Sequence, residues 1–193
     1  MADELNNTII VLMGFAGTGK YTIGRELAQL TGAKLIDNHL INNSLFTAID
    51  VDGVTPLPKE IWPKIKQIRR IVYETIRELS RAELSFIFTV QLIEEDPAGS
   101  RRFCRFGRAR SSSPESLVPI RLICEVEELC WRVVGQSRVE MLKHVNPEST
   151  RKTVLSQSVL DPDHPNLNTI DVTHVSALES AMTIWEKVRS ISG

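Results

Sequence analysis

The residues best suited to chemistry stand together near the amino end, as Gly14-Phe15-Ala16-Gly17-Thr18-Gly19-Lys20-Tyr21-Thr22. Glycine at 14, 17 and 19 allows positive φ, so successive backbone N–H groups can turn to one side and form a nest for an anion. The pattern of Gly, four residues, Gly-Lys and a hydroxyl residue is that of a phosphate-binding P-loop, with Tyr21 in the place of Ser or Thr. A triphosphate would then lie against Gly14, Ala16, Gly17, Thr18, Gly19, Lys20, Tyr21 and Thr22. Lys20 would reach its β- and γ-phosphates and offset charge that develops on the γ oxygens. The departure at Tyr21 matters because the usual hydroxyl serves Mg2+, and a phenol carries its oxygen too far from the backbone. Thr22 has the hydroxyl but not the position. Either the ion is held by phosphates, waters and a carboxylate elsewhere, or the site binds nucleotide without efficient catalysis.

Further along the chain, Asp37-Asn38-His39 follows a short apolar run. Asp37 can accept a proton from a substrate hydroxyl or hold a magnesium-bound water, and it can equally cap the next helix. His39 fits a substrate contact or a satisfied hydrogen-bonding group. Arg132 and Arg138 bracket a break after an amphipathic segment, with Lys143 a little beyond, and cations so placed can close over phosphates. Five arginines between Arg101 and Arg110 read as a solvated helix face rather than a nucleic-acid surface, since the whole chain carries a net charge of -1. His39, His144, His164 and His174 are scattered, so no metal cluster is expected. Cys104, Cys124 and Cys130 lack metal-ligand spacing and suit a reducing cytoplasm. The acidic start Met1-Ala2-Asp3-Glu4 and the absence of a long apolar run predict neither signal peptide nor membrane span.

These residues need a scaffold, and the patterning predicts alternating strands and helices around a parallel sheet. Thr8 to Met13 reads as a buried strand, followed by a helix with Ile23, Leu27 and Leu30 at its spacing and Gly32 as its stop. Ala33 to Ile36, Leu84 to Val90, Val118 to Cys124 and Thr169 to Val172 read as four more strands. Helices are expected at Leu40 to Ala48, from Pro63 with the stripe Ile65, Ile68, Val72, Ile76 and Leu79, and at Pro97 to Arg110. Others are expected at Glu127 to Val134 and after the cap Asn146. Ser176 with Glu179 forms a capping box for a last helix whose Leu178, Met182, Trp185 and Val188 face the core. The 193 residues make one domain with about five parallel strands, and ligands of such sheets sit beyond the carboxyl ends of the strands.

The run Gly14 to Ala28, with Asp37 and the Arg132 to Arg138 segment, resembles the small P-loop kinases grouped around shikimate kinase, gluconate kinase and the nucleoside monophosphate kinases. The resemblance implies an α/β fold of three layers, a strand order 2-3-1-4-5 and an ATP·Mg2+ site at the P-loop. It further implies a lid at about 132 to 146 that supplies Arg132 or Arg138. It places the loop of Asp171 to His174 near the adenine, so that His174 becomes a nucleotide contact. The acceptor-binding region corresponds to about 40 to 62, where Asp50, Asp52 and Arg69 are available polar groups, with Asp37 and His39 close by. Shikimate kinases carry a glycine-rich loop after the third strand and paired acids at the second. This chain has neither, so shikimate is not the expected acceptor.

The leading expectation is a cytoplasmic kinase that moves phosphate from ATP to a small hydroxylated metabolite, nucleoside, nucleotide or antibiotic. Lys20, Asp37, Arg132 and Arg138 would act in catalysis, and Asp37, His39 and Arg69 would meet the acceptor. It would work as a monomer or homodimer, without nucleic acid or membrane. The alternative, favoured by Tyr21, is a nucleotide-binding regulatory module with little catalysis.

Overall fold

In the computed structural model, residues 5–52, 55–107, 117–136, 138 and 142–192 are described. The strands are β1 Ile9–Met13, β2 Lys34–Ile36, β3 Phe86–Val90, β4 Leu117–Ile123 and β5 Asn168–Asp171. The helices are α1 Lys20–Thr31, α2 Asn38–Phe46, α3 Ile61–Leu79, α4 Gly99–Gly107, α5 Val126–Val133, α6 Pro147–Ser156 and α7 Ala177–Ser192. The sheet is parallel throughout, in the order β2-β3-β1-β4-β5.

All five residues of β1 are buried, as a central parallel strand covered on both faces requires. Its side chains alternate between two cores. Ile10 and Leu12 join Ile23 and Leu27 of α1 with Ala181, Ile184 and Val188 of α7. Ile9, Val11 and Met13 face the other way, onto Phe86, Phe88, Phe103, Phe106 and Leu129. Met13 pairs with Val90 and Arg121 at the carboxyl edge. Register alone therefore brings the loop after β1, the turn after β2 and the end of β3 to one edge.

Several expected details shift. Helix α2 starts at Asn38 rather than Leu40, because the Asp37 carboxylate accepts the His39 N–H at 3.1 Å and caps the helix there. On α3, Ile61, Ile65 and Ile76 are buried, but Leu79 is 80% exposed in the final turn. The capping box forms, with the Ser176 hydroxyl accepting the Glu179 N–H at 3.2 Å and Glu179 accepting the Ser176 N–H at 3.0 Å. Yet only part of the expected face of α7 meets the core, since Val188 is buried and Trp185 packs against the same cluster. Leu178 and Met182 point outward, and Ala181, Ile184 and Val188 are buried. Of the basic segment, Arg101, Arg102 and Arg105 lie on α4, while Arg108 and Arg110 fall outside the described residues.

Candidate active site

The loop between β1 and α1 uses its glycines in two different ways. Gly17 and Gly19 stand at φ +92° and +78°, a conformation that side chains rarely adopt. Gly14 does not take positive φ. It is needed for space instead, since a Cβ there would lie 2.7 Å from Thr18 Oγ1 and 3.0 Å from the Leu122 carbonyl of β4. Gly19 is the N-cap of α1 and contributes no side-chain cap, so the helix's first N–H groups stay open toward a ligand.

Lys20 folds back over this loop. Its Nζ donates to the carbonyls of Gly14 at 2.8 Å and Phe15 at 2.6 Å, and to Thr18 Oγ1 at 3.2 Å. Burial, then the nearby Arg138 and Lys143, lower its pKa from 10.5 to about 7 despite the pull of Asp37. A lysine so placed is short of negative charge.

Asp37 ends β2 beside it. The carboxylate is 3% exposed. One oxygen accepts the His39 N–H and the other accepts the Thr89 hydroxyl from β3. Thr89 Oγ1 in turn accepts the Asn38 N–H at 3.0 Å. Asn38 Oδ1 accepts Nη2 of Arg69 at 2.7 Å, which ties α3 to the start of α2. His39 packs edge-on against Phe46. Burial, followed by Lys143, lowers its pKa to about 4, so it is a neutral ring at pH 7.

These groups open onto one cavity of about 1410 Å3. Among the described residues Lys20, Arg25, Lys66, Arg69, Arg102, Arg132, Arg138 and Lys143 line it against one lining carboxylate, Asp37, while Glu26, Asp96 and Glu128 pair with Arg25, Arg102 and Arg132 behind the wall. Asn42, Phe46, Val51, Thr55, Leu57 and Trp62 form its wall in the expected acceptor region. Such a concentration of positive charge in a concave, partly apolar site suits a polyanion with an organic body.

The two arginines after α5 are placed differently from each other. Arg132 sits in the last turn of α5 and pairs with Glu128 at 2.7 Å. Its Nη2 donates to the carbonyls of Val172 at 3.0 Å and Thr173 at 2.9 Å, joining α5 to the loop after β5. Arg138 donates through Nε and Nη2 to the His144 carbonyl at 3.2 and 2.8 Å. His174 is exposed and does not line the cavity. Arg25, Lys66 and Arg102 line it without having been read as site residues from sequence, whereas Lys143 was read with the lid cations and Trp62 closes the expected acceptor segment.

Magnesium finds few donors among the described residues around the loop. Tyr21 occupies the hydroxyl position of the loop, and the Lys143 ammonium stands 4.6 Å above the centre of its ring. Both oxygens of Asp37 already accept hydrogen bonds, and among the described residues no three His, Cys, Asp or Glu side chains group as metal ligands. The residues therefore do not fit an ion held directly at the P-loop, and leave Asp37 as an outer contact through water.

Strand order, nest and lysine together define the fold of the small P-loop kinases. Comparison with solved structures bears this out. A sugar kinase from Janibacter superposes with a TM-score of 0.60 at 21% identity, over 95% of this chain and 97% of that one. A gluconokinase from Sinorhizobium meliloti gives 0.58 at 18% identity, over 97% and 98%. A shikimate kinase from Acinetobacter baumannii, in complex with shikimate, gives 0.58 at 21% identity, over 95% and 93%. No protein-family model matches the sequence, and no curated protein does. Among the described residues no helix is long and apolar enough to cross a membrane.

Proposed function

We propose that this chain is an ATP-dependent phosphotransferase acting on a small hydroxylated acceptor. The observation that carries the reading is the half-buried Lys20 ammonium over the glycine loop, in a cavity that eight cationic side chains and one carboxylate line among the described residues. That arrangement is complementary to a triphosphate, and the similar solved kinases share its fold. ATP supplies the phosphoryl group when bound. The nest and Lys20 hold the phosphates, and Arg138 and Lys143 add positive charge beside them. Arg132 fixes the loop after β5 at the expected nucleotide end, whereas Asn42, Phe46 and Trp62, within the 40 to 62 segment, and Arg69 bound the acceptor end.

Asp37 orients the acceptor hydroxyl and takes its proton as the oxygen forms its bond to phosphorus and the bond to the ADP oxygen breaks. Thr89 and the His39 N–H hold that carboxylate in place, and neutral His39 offers a hydrogen bond rather than a charge. Any magnesium ion that enters with the nucleotide would find its one contact from the described residues in Asp37, through water. The segment from 132 to 146 serves as the lid, with Arg138, Lys143 and His144 on the cavity. A cytoplasmic setting supplies ATP and keeps the three thiols reduced.

Calorimetric titration with ATP and GTP, followed by transfer assays over nucleosides, sugar acids and aminoglycosides, tests the reading. Binding with one acceptor turned over is expected. Binding without turnover of any acceptor would favour the regulatory module to which Tyr21 points, and absence of binding would end both. Asp37→Asn sharpens the test, because Asn still caps α2. It should leave nucleotide affinity within about threefold and lower turnover by about a hundredfold or more. Turnover like the wild type would remove Asp37 from catalysis.

A further inference from the structure

Tyr21 and Lys143 form a pair that the transfer chemistry does not explain. Lys143 is 8% exposed, and no described residue accepts a hydrogen bond from its ammonium, which lies over the Tyr21 ring. The backbone aims it there. Leu142 stands at φ +51°, in the left-handed region that branched side chains avoid. Its side chain packs on Phe46, Ile61 and Ile65, which anchors the strained residue. The Lys143 N–H then donates to the Arg138 carbonyl at 2.9 Å, while the Arg138 guanidinium holds the His144 carbonyl. These two ties join Arg138 to Lys143 and His144, and both cations line the cavity with Lys20.

The ring contact is attractive, since an ammonium over an aromatic face gains from its quadrupole, more so when desolvated. Asp37 also attracts Lys143, and Arg138 repels it. Tyr21 holds the chain position at which a P-loop carries its hydroxyl, and the ammonium lies on its ring.

We propose that Lys143, seated on Tyr21, is a built-in cation that takes the place of the P-loop hydroxyl and its magnesium ion at the phosphates. The chain then binds a nucleoside triphosphate with little dependence on a divalent ion. The inference rests on the cavity being a triphosphate site. Three features support it independently of one another. Tyr21 removes the hydroxyl ligand and supplies the platform in a single residue. Lys143 and Arg138 together bring the two positive charges that the divalent ion would bring. Asp37, the one lining carboxylate among the described residues, already accepts a hydrogen bond at each oxygen and attracts Lys143 as its counter-charge.

The test is calorimetric titration of the full chain with ATP, in excess Mg2+ and in EDTA, for wild type, Lys143→Met, Lys143→Arg and Tyr21→Ser. Wild-type affinities in the two buffers should agree within about threefold. Lys143→Met should lose about tenfold or more in EDTA and less in Mg2+, with Lys143→Arg recovering most of the loss. Tyr21→Ser, which removes the platform and restores a hydroxyl, should make binding dependent on the ion. A wild type that binds about tenfold tighter with Mg2+, and a Lys143→Met protein unchanged in EDTA, would overturn the proposal while leaving the triphosphate site intact. No ATP binding by wild type in either buffer would instead remove the triphosphate site and this inference with it. Melting curves establish that each variant folds, and should Lys143→Met not fold, the comparison of wild type with Tyr21→Ser decides alone.

Discussion

Lys20 concentrates the electrostatics of the site, and its cost should be measurable without any ligand. Its folded pKa of about 7 lies below the 10.5 of the unfolded chain. Between those values the unfolded chain binds more protons, so stability rises with pH across that window, and the full penalty is present below about pH 7. Lys20→Met removes the penalty along with the phosphate contact. The variant should melt higher than wild type at pH 6 to 7, converge with it toward pH 10, and bind no ATP. A variant that melts lower at pH 6 would show that the hydrogen bonds to Gly14 and Phe15 outweigh desolvation. ATP should also draw a proton onto Lys20 at pH 8, seen as a binding heat that changes with the buffer's ionisation heat. The residue types of this loop were legible from spacing alone. Gly14 was legible as a glycine but not for its reason, because the Leu122 carbonyl that excludes a Cβ comes from a distant strand.

At the scale of elements, α7 shows how packing overrides hydrophobicity. The bulkier Leu178 and Met182 were the expected core contacts, yet each is about half exposed, and Ala181 and Ile184 are fully buried. Small side chains on the facing stripe let α7 approach α1 closely, where Ile23 and Leu27 supply the bulk. Ile184→Ala should therefore cost about 2 to 5 kcal/mol in urea unfolding. Met182→Ala should stay within about 0.5 kcal/mol. The reverse order would mean that the helix is turned by about 100° from its described register. The capping box was legible because both partners lie within one turn. Helix α2 shows the same limit, since its start depends on a carboxylate that Thr89 of β3 holds in place.

The whole molecule separates its charge. It has 23 Lys and Arg against 24 Asp and Glu, yet among the described residues the cavity wall carries eight of the former and one of the latter, Asp37. A field so focused should attract anions and weaken with salt. ATP affinity should fall about tenfold between 0.05 and 0.5 M NaCl. A flat response would mean that the lining cations do not meet the phosphates. Net composition hid this asymmetry, since a sum over the chain carries no information about which side chains share a wall.

What the sequence determined by itself is whatever depends on near neighbours: the glycine loop, the lysine that serves it, the alternation of strand and helix, and the caps at Asn146 and Ser176. The resemblance in those features also carried the strand order, which the sheet pairing bears out. Only the tertiary structure decided the rest. It took His174 out of the cavity wall, committed Arg132 to the carbonyls of Val172 and Thr173, and laid Lys143 on Tyr21. Each of these joins residues far apart in the chain, and such contacts follow from which surfaces pack together, a balance of burial and charge over the whole fold that no local spacing encodes.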